Sequence, residues 1–78
     1  IVNKYPSSSI IINAVNEALV ELFLKKKIRF LAISKTIKTI MNDSNYIKYA
    51  IIKPTNLKII YKINNWAKNK TLEKTKNL

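Results

Sequence analysis

The sequence contains no cysteine, no histidine and no glycine, and each absence removes a class of chemistry. Without Cys there are no disulfides, thiolate nucleophiles or thiolate metal sites; without His there is no imidazole base and no imidazole zinc ligand. The missing cysteine leaves the redox compartment open. Without Gly these residues hold neither a Walker loop nor a dinucleotide fingerprint, because both bring the backbone against phosphate where a Cβ would intrude. It also obliges every helix to stop without Gly at C′. Acids are scarce: Glu17, Glu21, Asp43 and Glu73 are the whole set. Only Glu17 and Glu21 share a helix face, and Glu21 is equally spaced to pair with Lys25. No paired-carboxylate or metal-carboxylate site is visible, so no catalytic, cofactor-binding or metal-binding residue is assigned.

What the sequence has in excess is Lys, Asn and Ile. Fifteen basic residues against four acids give a net charge of +11. Such a balance suits nucleic acid or an anionic surface. Codon bias toward A and T produces the same composition with no partner involved, and it explains why only Arg29 among the cations is arginine. Arginine is the residue that phosphate and guanine recognition prefer. A length of 78 residues sets one domain at most, close to the lower limit for a self-sufficient core. Residues 10–24 are too short, and carry too many Asn and Glu, to span a membrane, and no signal peptide is evident.

The organising stretch is Ser9 to Phe30, the longest continuous apolar pattern, which reads as one helix. The β-branched run Ile10-Ile11-Ile12 resembles a strand, but helical periodicity continues through Leu24 and decides against it. At 100° per residue, Asn16, Glu17, Val20 and Leu24 fall within about 60° of Asn13, while Ile11, Val15, Ala18, Leu19 and Leu22 crowd the opposite side. A helix apolar nearly all round requires burial on nearly all sides, and some fifty further residues hardly cover it. The chain is therefore expected to belong to something larger. Ser7, Ser8 and Ser9 offer N-cap hydroxyls after Tyr5-Pro6. Lys25-Lys26-Lys27 complements the dipole at the other end, and Ile28 and Phe30 are expected to plug back into the core.

A second helix is predicted over Leu31–Asn42, with Ile33, Ile37, Ile40 and Met41 on one stripe and Ser34, Lys35, Lys38 and Thr39 facing away. Asn42-Asp43-Ser44-Asn45 is a breaker cluster. Tyr46–Lys53 alternates weakly like a strand but has no partner strand, so an irregular connection closed by Pro54 is expected. A third helix is predicted from about Thr55 to Lys70, capped by Asn56, with Ile59, Ile60, Ile63, Trp66 and Ala67 inward. Asn64 and Asn65 make a kink or a fresh N-cap conceivable there. Residues 71–78 read as a flexible tail.

Two constellations are candidates for contact. Asn13, Asn16 and Glu17 share one face of the apolar helix, where they either make a ligand or catalytic contact or satisfy backbone groups of a neighbouring loop or a docked domain; the second reading is the simpler one. Trp66 with Tyr61 either offers a base-stacking platform or, since Trp66 lies on the apolar stripe, packs in the core. A DNA-binding helix-turn-helix, whose short turn often contains Gly, is weakened by the connection from Leu24 to Leu31, which is lysine-rich and has no Gly.

Asn13-Ala14-Val15-Asn16-Glu17, with Val20, Phe23, Leu24, Ile28, Phe30 and Ile33, resembles the C-terminal helical domain of 1-deoxy-D-xylulose 5-phosphate reductoisomerase, which carries Leu-Asn-Ala-Ala-Asn-Glu, a following apolar helix and Ile-x-Phe-x-x-Ile. A looser match joins Asn56-Leu57-Lys58-Ile59-Ile60 and Asn64-Asn65-Trp66-Ala67-Lys68 to that family's Ser-Leu-x-x-Ile and Asp-x-Trp-Ala-Arg. Ile12 and Val15 depart from the first motif, and Asn64 and Lys68 from the last.

The resemblance implies an oxidoreductase of isoprenoid biosynthesis that makes 2-C-methyl-D-erythritol 4-phosphate with NADPH and Mg²⁺ or Mn²⁺. It places the cofactor and metal sites in preceding domains and gives the helical domain a supporting role. The expected architecture is a small all-α helical bundle, three helices here out of a four-helix C-terminal domain. Residues 1–8 are a lead-in linker, 9–70 the bundle and 71–78 the tail. Asn13, Asn16, Glu17, Phe23, Phe30 and Trp66 are expected to act in structure and docking. The expected partners are the preceding NADPH-binding and catalytic domains of the same chain, in a homodimeric parent, with no nucleic acid and no membrane. Family and residue bias together suggest a plastid. The alternative is a free-standing basic helical nucleic-acid-binding module.

Overall fold

The computed structural model describes residues 5–76; residues 1–4 of the expected lead-in and 77–78 of the expected tail lie outside them. Four helices follow one another: α1 Ser8–Leu24, α2 Phe30–Met41, α3 Ser44–Ala50 and α4 Leu57–Thr75. Among the described residues the bundle is all-α with four helices, one more than expected. Helix α1 is the centre, packing most extensively on α4 and also on α2, while α2 touches α4.

The buried face of α1 is Ile11, Ala14, Val15 and Leu19, the side that helical periodicity assigns to the core. Ile40 of α2, Tyr46 and Ala50 of α3, and Ile63 and Ala67 of α4 complete the core. Small residues at Ala14, Ala50 and Ala67, each wholly buried, let the backbones approach.

Helix α1 ends at Leu24, short of Phe30, and its stop is a Schellman motif. The Lys26 N–H donates to Phe23 C=O at 2.9 Å and the Lys27 N–H to Leu22 C=O at 2.9 Å. The motif needs a left-handed residue at C′, and Lys26 takes it with φ 61°. In a chain without glycine a lysine bears the Cβ strain that Gly would avoid.

At the start of α1 the serines act otherwise than expected. Ser7 occupies the N-cap position, but its hydroxyl makes no capping bond. It donates to the Ile52 carbonyl, its N–H donates to Ala50 C=O at 2.9 Å, and Ser8 Oγ shares a 2.7 Å hydrogen bond with Tyr46 Oη. Both serines are buried, so their hydroxyls take partners across the fold, tying α1 to α3 and its exit.

Helix α3 corrects the expected irregular connection. Its N-cap is Asp43, whose carboxylate accepts from Asn45 N–H at 2.9 Å. Tyr46 and Ala50, four apart, are buried, whereas Ile47 and Ile51, also four apart, are exposed. The period is helical, and intrahelical bonds supply the backbone partners a lone strand would lack. Helix α4 starts as expected, with Asn56 Oδ1 accepting from Ile59 N–H at 3.0 Å. It passes Asn64 without a break and runs beyond Lys70 to Thr75. The continuation has physical causes: Thr71 is wholly buried, and Lys70 and Lys74 reach Asp43 at 3.4 and 3.5 Å.

Candidate functional site

The open side of α1 is where the candidate residues lie. Asn13, Asn16 and Glu17 are exposed, opposite the buried Ile11, Val15 and Leu19. Val20, Glu21 and Leu24 continue the same strip, and Leu24 is 72% exposed. Asn16, Glu17, Val20, Glu21, Leu24 and Lys25 border a shallow recess of about 600 Å³. The helix is thus covered on one side and bare on the other. Glu21 pairs with Lys25 at 3.2 Å, as their spacing predicts, with both side chains about two-thirds exposed, so the pair contributes little to stability.

Phe23, Phe30 and Trp66 divide between surface and core. Phe30 does not plug into the core; it is 68% exposed. As the first residue of α2 it meets Phe23 edge to face, with ring centroids 5.7 Å apart, and Phe23 is itself on the surface. Ile28 does pack against the core as expected. Trp66 stacks on Tyr49 at 4.6 Å with the planes 15° apart and lies against the core. One ring face is therefore taken, and Tyr61, exposed on another part of α4, does not join it in a base-stacking platform.

The electrostatics concentrate at Asp43, which the sequence presented only as part of a breaker cluster. The Asn45 N–H and, beyond it, Lys70 and Lys74 hold its carboxyl below the ordinary 3.8, against an opposing effect of burial. Lys70 also reaches Glu73 at 3.6 Å. The group is a structural clamp: a cap for α3 and an anchor for the last turns of α4. Among the described residues no three His, Cys, Asp or Glu side chains gather in a metal-sized group, and no helix is long and apolar enough to cross a membrane.

A compact core on one side of the central helix and a mixed polar and apolar strip left open on the other define a small one-sided all-α domain. The chain belongs to the DXP reductoisomerase C-terminal domain family, which it matches over residues 1–70. No curated protein and no solved structure matches it. The family is that of a reductoisomerase of isoprenoid biosynthesis, and nothing in the match favours a nucleic-acid-binding module.

Proposed function

We propose that this domain braces and positions the NADPH-binding and catalytic domains of its parent reductoisomerase and contributes no group to the chemistry. The observation that carries the proposal is the uncovered strip Asn13–Asn16–Glu17–Val20–Leu24 on the central helix. Exposed amides and a carboxylate interleaved with Val and Leu suit a protein surface that presents backbone polar groups among apolar contacts. The strip is the docking seam.

The donor set of these residues does not fit the parent's cofactors. A dinucleotide pyrophosphate needs a close backbone approach, and the chain has no Gly. Of the four acids, Asp43 is engaged with two lysines, Glu73 with Lys70 and Glu21 with Lys25. That leaves Glu17 alone, too few oxygens for Mg²⁺ or Mn²⁺. We place NADPH and the metal in the preceding domains of the same protein, and a homodimeric, plastid-located parent belongs to the same reading.

The test is Asn16→Leu in the full-length protein. The apolar replacement leaves polar groups of the docked surface without partners, at a cost of about 1–3 kcal/mol. The expected result is a lower melting temperature or loosened domain association, seen by calorimetry and limited proteolysis. Unchanged melting and proteolysis would contradict the seam.

A further inference from the structure

Beyond the seam, the turn between α1 and α2 forms a second uncovered surface. A cleft of about 890 Å³ has Phe23, Leu24 and Leu31 on its apolar side and Lys26, Lys27, Arg29 and Lys35 around it, with no carboxylate in the lining. Leu31 is 76% exposed. Phe30 holds Phe23 in the edge-to-face pair, so part of the apolar wall is already ordered. An apolar wall ringed by charge of one sign is complementary to a segment that carries the opposite charge beside an apolar side chain.

We infer that this cleft receives an acidic segment with an apolar anchor from the preceding domains of the same protein. The inference rests on the docking reading above and extends it to a second contact of defined chemistry. Continuity is the first argument: Leu24 borders both this cleft and the recess of the α1 strip, so a body covering one reaches the other. Charge is the second. Four cations facing a cleft without an acid call for carboxylates, and apolar walls between them call for an aromatic or aliphatic side chain. A second copy of this chain is the wrong partner, since each copy carries +11 and three of its four acids are already paired. The predominance of lysine sets the kind of contact: point charges around the edge tolerate a sequence of acids without demanding bidentate geometry.

The experiment places a photocrosslinker in the full-length protein at one exposed position per surface, Leu31→p-benzoylphenylalanine for the cleft and Asn16→p-benzoylphenylalanine for the seam. Crosslinked peptides are then identified by mass spectrometry. The expected result is an intramolecular product from position 31 joined to an earlier segment with at least two Asp or Glu beside an apolar residue. Lys26→Gln with Lys27→Gln should lower that yield about fivefold or more, and raising the salt should do the same. A product from position 16 with none from position 31 overturns the cleft inference and leaves the seam standing. Failure at both positions overturns both. Capture of a basic segment, a second copy, nucleic acid or lipid at position 31 also overturns it.

Discussion

Individual side chains carry the joints of this bundle. Ser8 and Tyr46 share one hydrogen bond in a region where both are buried, and its energetics depend on how many partners are removed. Ser8→Ala alone leaves the Tyr46 hydroxyl unsatisfied and is expected to destabilise by about 1–3 kcal/mol. Adding Tyr46→Phe removes the orphan, so the double variant should recover much of that loss in the domain's unfolding transition. Strict additivity would show that the bond is not made. Asp43 makes the complementary case through charge. Its folded-state carboxyl is held below 3.8, so the stabilisation is full above the unfolded value and is lost as the pH falls through the folded one. Asp43→Asn keeps a capping oxygen and removes the charge. Wild type should therefore exceed it by about 1 kcal/mol at neutral pH, with the advantage fading as the pH falls through the folded-state carboxyl value. An advantage independent of pH would count against the ion pairs. The sequence disclosed neither joint, because each closes between residues that only the fold brings together: Ser8 with Tyr46, and Asp43 with Lys70 and Lys74.

Elements were legible where a single period ran long enough. The buried faces of α1, α2 and α4 fall where Ile11, Val15 and Leu19, then Ile40, then Ile63 and Ala67 place them. Asn56 announced the start of α4 through its side chain. Helix α3 was hidden because seven residues hold under two turns. Ile47, Tyr49 and Ile51 alternate over that span as well as any strand, and only the burial of Tyr46 and Ala50 distinguishes the two. The end of α4 was hidden because Thr and Lys read as solvated tail, whereas Thr71 is enclosed and Thr71 Oγ1 donates to Ala67 C=O at 2.8 Å. The missing glycine, by contrast, announced its consequence at the end of α1, where Lys26 sits at φ 61°. Lys26→Gly is expected to stabilise the domain by about 0.5–1 kcal/mol, because relief of Cβ strain outweighs the added freedom of the unfolded chain. Calorimetry reads it as a raised melting temperature, and a lowered one would refute the strained C′ assignment.

At the scale of the molecule, which extends 36 × 22 × 18 Å, the arrangement is one-sided. The core lies between α1 and the other helices, and the strip from Asn13 to Leu24 faces outward. That face was legible in the helical wheel as the narrow polar arc interrupted by Val20 and Leu24. The identity of a covering body was not, because the recess along the strip is lined by α1 and Lys25 alone. The fate of Phe30 was misjudged for a related reason: an aromatic after a turn reads as core whether its neighbour is this bundle or another domain. Glu17 tests the central claim, that the chemistry lies in the preceding domains and not in this one, most directly. It is the one acid of the described residues outside the ion pairs, it stands in the seam, and Glu17→Gln keeps its shape while removing its charge. A general acid or base contributes about 10²–10⁴-fold to turnover, whereas a docking residue acts through the folded fraction. For full-length Glu17→Gln, with turnover expressed per folded molecule, the account predicts a value within about threefold of wild type. A loss of about a hundredfold or more at unchanged melting temperature would contradict it.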